Sequence, residues 1–394
     1  MAQKLAMLGD SMIDTGLDKD NLRTFDRWIS GPLVSLLGPW FLDYYNHGVG
    51  GETISDCLAR VGDVIATDAD WVLVECGIND LSRPDTTLES MINDYKNLIR
   101  ALTAEGRKIV CCTVLERKRI SEGGAVADAQ YAIRPQFNNW LRNLKGAGVV
   151  AGIVDFDFYG HRLNYSALND ADDGTHPNTD RCVEIAGVVA AGLREALQAE
   201  GLSPASLGAN LLSTPQFMGN EGTSNSGHIA GNIATGWRFL DAQTGTEQIA
   251  CETLLDAQGG TQTLSLSGAP SGSGRALYFR DNQSSIDLTS GQTVYTSFRL
   301  KTAGLKGVIG VFSQLLLPLS GGNQYLTAMQ SPSTDGALPY RQVAANMDAE
   351  LFSIPYTAPE DLTGCTFRIG IAFMDNADLS GSVLLSDAAV RATQ

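Results

Sequence analysis

A chain of 394 residues that is 43% hydrophobic and 18% charged has the composition of a folded globular protein and enough length for two domains. A formal charge of −16 turns it away from nucleic acid phosphates and anionic bilayers as partners. No apolar run reaches the length of about 18 residues that a membrane-spanning helix requires.

Residues 1–200 alternate short apolar runs with amphipathic stretches, the pattern of an α/β domain with a parallel sheet. Strands are expected over 4–8, 41–46, 71–75, 109–115 and 149–156. Helices are expected over 28–37, 53–66, 88–105, 134–144 and 180–199. The third of these is the clearest, with Met91, Tyr95, Leu98, Ile99 and Leu102 at helical spacing. Five strands with covering helices predict a three-layer, doubly wound, five-stranded parallel sheet. The texture changes at GLSPASLG, residues 201–208, which reads as a linker. Residues 209–394 are rich in Gly, Ser and Thr, and segments 262–266, 294–300, 366–373 and 382–385 alternate as strands do, which predicts an all-β sandwich. Seven cysteines, at 57, 76, 111, 112, 182, 251 and 365, are scattered without a CxxC pair. They read as buried, reduced thiols, and no metal site is expected.

Four histidines occur, His47, His161, His176 and His228, so a general base has few candidates. DDGTHPN places Asp173 three residues before His176, close enough to turn back on the imidazole, although alone the segment reads first as a polar loop or helix cap. AMLGDSM puts Ser11 just past the first expected strand, NHGVGGE follows the second, and CGIND, with Asn79, follows the third. Three small polar motifs therefore end three strands at one edge of one sheet, where open parallel sheets present ligands.

These blocks resemble those of the SGNH (GDSL-type) hydrolases. Gly9-Asp10-Ser11 is similar to the first block, 46–51 to the second, Gly77-Ile78-Asn79-Asp80 to the third and Asp173-Gly174-Thr175-His176 to the fifth, all in family order. GDSM replaces the commoner GDSL, at a position without chemistry. The resemblance implies a flavodoxin-like SGNH fold over nearly all of residues 1–200. It implies Ser11 as nucleophile, His176 as base and Asp173 as the group orienting that base. It further implies an oxyanion hole made by the backbone N–H groups of Ser11 and Gly51 and the side-chain amide of Asn79. Gly50 stays open as the alternative to Gly51. Asp10 and Asn46 are implied as loop supports, and no metal or organic cofactor is needed. The absence of a G-x-S-x-G elbow disfavours the α/β-hydrolase fold.

Other residues carry weaker signals. His47 reads as structural, and His161 is a candidate for the cleft. The connection 116–136 is placed to shape a substrate pocket; its Arg117-Lys118-Arg119 run is either a solvated face or an anion attractor. Asp14, Thr15 and Trp28 are candidates for the pocket border. The opening of the C-terminal half, 210–217 with Gly236-Trp237 later, and its ending SGSVLLSDAAV resemble jelly-roll carbohydrate-binding modules, with Trp237, Tyr278, Tyr325 and Tyr340 as candidate sugar-stacking residues. The sandwich domains of phage tail and fibre proteins, which oligomerise, are the competing resemblance.

The expected function is a serine esterase working through an acyl-enzyme, foremost a carbohydrate O-acetylesterase whose partner is an acylated glycan. A lipid-type esterase, thioesterase or lysophospholipase is the alternative enzyme, and an inactive binding or virion-structural protein the alternative of another class. The opening MAQKLAMLGD has no apolar core before a cleavage site. The expected location is therefore cytoplasmic as synthesised, with virion association or non-classical export beyond that.

Overall fold

The computed structural model describes residues 3–25, 28–117, 126–157, 175–177, 179–241, 248–255, 260–270, 276–282, 285–330, 346–360, 362–374 and 377–393. The chain forms two compact units. The first comprises Met1–Leu17, Trp28–Leu33 and Trp40–Pro204, and the second Asp18–Arg27, Val34–Pro39 and Ala205–Gln394.

The first unit is built on five parallel strands, Lys4–Gly9, Asp43–Gly48, Trp71–Glu75, Lys108–Cys112 and Gly152–Val154. Their order across the sheet is second, first, third, fourth, fifth, the doubly wound order with a switch point beside the first strand. Leu5 to Leu8 and Trp71 to Val74 are buried at every position, as strands covered on both faces by helices must be. Helix Leu88–Ala104 supplies part of that cover. Thr87 caps it, accepting from the Ser90 N–H, and the buried residues are Met91, Tyr95, Leu98, Ile99 and Leu102, the five at helical spacing.

Three strands differ from expectation at their ends. The second begins and ends two residues later, the fourth stops at Cys112, and the fifth is three residues long. The fourth stops because a side chain takes over its ladder. Buried Asn138, on helix Ile133–Gly146, accepts from the Val114 N–H at 2.8 Å and donates to the Val114 carbonyl at 3.1 Å. A side-chain amide thus replaces a neighbouring strand where the sheet ends.

The second unit consists of mainly antiparallel sheets. In one, Gly322–Gln330, Val308–Leu319, Leu362–Phe373, Ala276–Asp281 and Trp237–Asp241 lie side by side in that order, and Arg23–Phe25 pairs in parallel with Gly322–Gln330. The other runs Met347–Phe352, Thr293–Lys306, Ser380–Ala392, Gly260–Ser267 and Gln248–Leu255. Alternate residues, among them Phe239, Phe279, Phe367, Ile369, Phe298 and Leu385, are buried between the sheets. Buried Thr296 and Ser313 join the two sheets with a 3.0 Å hydroxyl bond.

Trp237 belongs to this core and offers no sugar platform. It is 1% exposed, stacks on Phe279 at 4.6 Å between centroids, and donates from its indole N–H to the Thr214 carbonyl at 3.0 Å. Its large ring is fixed where burial gains most. Tyr278 and Tyr325 are partly exposed, and Tyr340 lies outside the described residues.

Candidate active site

The nucleophile candidate sits on the first residue-to-loop step after strand Lys4–Gly9. The Asp10 carbonyl accepts from the Ile13 and Asp14 N–H groups, both at 3.1 Å, so the chain curls tightly around Ser11. The Asp10 carboxylate accepts from the Met12 N–H at 3.0 Å and fixes the same turn. Asn46 holds it from the neighbouring strand: its amide donates to the Ile13 carbonyl at 2.9 Å and its Oδ1 accepts from the Gly48 N–H at 2.9 Å. Gly48 is needed for that approach, because a Cβ there would lie 2.5 Å from the Asp14 nitrogen.

His176 comes to this turn from 165 residues away, its Nε2 standing 2.7 Å from Ser11 Oγ. Trp28 packs edge-on to the imidazole, with centroids 5.0 Å apart. The Trp28 backbone is left-handed, with φ of 64°, a strained state for a bulky residue that the packing must hold. Asp173 and His161 lie outside the described residues, as do Lys118 and Arg119.

Two further loops complete the edge. Gly51 has φ of 84°, which glycine adopts freely and which turns the chain after the second strand. A Cβ on Gly50 would be 3.8 Å from the Ser11 Cβ, so this loop passes directly over the nucleophile. Asn79 donates from Nδ2 to the Glu52 carbonyl at 3.0 Å, which uses one of its two amide hydrogens. Asp80 accepts from the Ile54 N–H at 3.1 Å and, being buried, has its carboxyl pushed up to about 6.

Several supports carry no sequence signal. Arg60 donates to the Gly9 carbonyl at 3.1 Å and pairs with Glu52 at 2.6 Å, tying the glycine loop to the nucleophile strand. Arg117 donates to Thr175 Oγ1 at 2.8 Å, to Asn79 Oδ1 at 3.4 Å and to Ser82 Oγ. It is therefore a clamp between the Asn79 loop and the segment bearing His176. Two buried carboxyls adjoin this turn, Asp10 beside Ser11 and Glu75 opposite Gly9 in the sheet. Burial pushes Asp10 up to about 7, against the opposing pull of the Met12 N–H. Burial first, and the Asp10 charge second, hold Glu75 well above the usual carboxylate range. One oxygen of each has no hydrogen-bond partner. His47 is structural in its surroundings: burial and the Arg60 charge lower its pKa, and its Nε2 is buried without a partner.

A hydroxyl in contact with an imidazole, beneath a glycine loop and a fixed carboxamide, is equipped for proton abstraction and for holding an oxyanion. Residues 7–180 match the model of the GDSL-like lipase/acylhydrolase family. They form a GDSL-like acylhydrolase domain. Over 136 residues the chain is 29% identical to an acetylxylan esterase of Geobacillus stearothermophilus, an overlap of 31% of this chain and 62% of that protein. The chain thus spans under two thirds of that relative's length. Among solved structures, the acetyl xylan esterase AlAXEase is 21% identical, with TM-score 0.38, over 47% of this chain and 97% of that one. The psychrotrophic esterase EstA from Pseudoalteromonas sp. is 16% identical, with TM-score 0.37, over 50% and 99%. The family match spans most of the first unit.

Proposed function

We propose that the acylhydrolase domain hydrolyses carboxylic esters through an acyl-enzyme on Ser11, and that its substrates are O-acetylated polysaccharides. The observation that carries the reaction is the 2.7 Å contact between Ser11 Oγ and His176 Nε2 at the carboxyl edge of the parallel sheet. In the proposed sequence, His176 takes the hydroxyl proton as Oγ bonds to the ester carbonyl carbon. The carbonyl oxygen becomes an oxyanion that the Ser11 and Gly51 N–H groups and the second amide hydrogen of Asn79 stabilise. Collapse breaks the bond to the sugar oxygen, which leaves with the proton from His176. Water then attacks the acyl-Ser11, giving its proton to His176, and the carboxylic acid departs as Ser11 is restored. Asp173, three residues before the base, is assigned to orient it on the strength of the sequence motif.

The acetyl assignment is supported by the likeness to an acetylxylan esterase and by Trp28, which walls the reacting atoms with a bulky ring. The polar connection 116–136 offers no long apolar stretch for a fatty acyl chain. Wild-type protein is expected to hydrolyse p-nitrophenyl acetate and to react covalently with a fluorophosphonate. Ser11→Ala should lower kcat by at least about 10³-fold and abolish labelling. Absence of both turnover and labelling in the wild type would sink the enzyme reading. Faster release of long-chain acids than of acetate would replace the glycan reading with a lipid one.

A further inference from the structure

Three arginines stand side by side on one face of the second unit. Arg238 lies opposite Arg280, and Arg280 opposite Arg368, on three neighbouring antiparallel strands. Directly opposed residues project to the same side of a sheet. This side is the one away from the core, since Trp237, Phe279 and Phe367 alternate with the arginines and are buried. The row continues to Gln314, which lies opposite Arg368 and accepts from its Nε at 2.8 Å. The Arg368 guanidinium is held between two rings, 3.9 Å from the centroid of Tyr278 and 4.9 Å from that of Tyr325.

Among the described residues, none of the three arginines has a carboxylate partner, and Arg280 Nε is buried without any hydrogen bond. Strands lie about 4.8 Å apart, so the row places like charges directly against one another twice, which destabilises a sheet. The concentration is against the trend of the chain: beyond residue 200 there are nine basic and fifteen acidic residues, and three of the nine are in this row. A local rule broken with no carboxylate among the described residues to balance the charges points to a ligand. Guanidinium forks match carboxylate and sulfate groups bidentately, and a regular row of them matches a polymer with regularly spaced anionic groups. The surrounding acidity, with −16 overall, repels a polyanion that does not seat on the row itself.

We propose that this face binds an acidic polysaccharide, whose carboxylate or sulfate groups lie on Arg238, Arg280 and Arg368. That the bound glycan is also the polymer deacylated by Ser11 rests on the esterase reading; the binding surface itself does not.

The test is affinity electrophoresis of the full chain carrying Ser11→Ala, in gels containing polygalacturonate, dextran sulfate or neutral dextran. Retardation is expected with at least one anionic polymer and not with dextran, and the pair of gels separates carboxylate from sulfate recognition. Adding Arg238→Gln and Arg280→Gln should weaken the retardation at least about tenfold. The double variant should melt no lower than its parent, because it removes an opposed like-charge pair; if it melts early, Arg238→Gln alone carries the same expectation. Absence of retardation by both anionic polymers overturns the proposal. So does equal retardation of parent and variants, or a DNA duplex binding as tightly as the glycans. Turnover of p-nitrophenyl acetate by the wild-type chain is read separately, so failure of the esterase reading leaves the binding result standing.

Discussion

Two buried carboxyls flank the nucleophile turn, Asp10 next to Ser11 and Glu75 opposite Gly9 in the sheet, and their titration ties stability to pH. Asp10, pushed up to about 7, and Glu75, held well above the usual range, keep their protons in the folded state where an unfolded chain has lost them above about pH 4. A raised carboxyl favours the fold below its unfolded pKa, and that contribution is lost as pH rises through the folded value. Thermal stability is therefore expected to fall between pH 5 and pH 8. Glu75→Gln, which keeps the shape without the charge, should flatten that dependence in melts taken at the two pH values; an unchanged slope would refute the assignment. Arg117 makes a second residue-scale case. Arg117→Gln frees both Thr175 and Asn79, so kcat for p-nitrophenyl acetate should fall by about 10–100-fold with little change in KM, as a loss of positioning does. That Ser11 and His176 come together was legible because the motif fixes residue type and order. The role of Arg117 was not: it stood in a basic run, while its partners lie 58 and 38 residues away in sequence. Glu75 likewise reads as the polar end of a strand until the layers close over it.

At the scale of elements, hydrophobic periodicity predicted the five parallel strands and their helices, since each strand is buried on both faces. What it missed is where strands stop, because partners on other elements decide that. Asn138 is the instance. Within helix Ile133–Gly146 it looks like an ordinary polar position, yet it is buried and bonds Val114 N, Val114 O and Asp157 Oδ2. Asn138→Leu leaves the Val114 N–H and carbonyl without partners and should cost about 2–4 kcal/mol, read as a fall in the denaturation midpoint. An unchanged midpoint would show that water replaces the amide at the sheet end. In the second unit, alternation likewise revealed strands, but not which face is inward. Trp237 shows the limit: a tryptophan just after a glycine turn suits a sugar platform or a core equally well, and only pairing with Phe279 and Phe217 makes it core.

For the molecule as a whole, the change of composition near Gly201 announced a second body, and the seven free cysteines are all buried, as scattered apolar cysteines suggest. Native protein should therefore react slowly with Ellman's reagent and yield seven thiols in guanidinium chloride; rapid modification of the native chain would contradict that burial. Composition did not reveal that Asp18–Arg27 and Val34–Pro39 belong to the second unit. Short segments of ordinary make-up carry no mark of a partner hundreds of residues away. A fragment of residues 205–394 lacks the strand Arg23–Phe25 and so exposes the backbone edge of Gly322–Gln330. It should self-associate in gel filtration more than the full chain does.

That same pairing sets a clock on biosynthesis. Arg23 meets Thr327 in the ladder, about three hundred residues later in the chain. At about 5–20 residues per second, the early strand waits roughly 15–60 seconds on the ribosome before its neighbour exists. Over that interval the nascent chain already holds Ser11, while a piece of its own far end is still untranslated. Codon choice and chaperone access along those three hundred residues therefore bear on yield as directly as any contact in the finished fold.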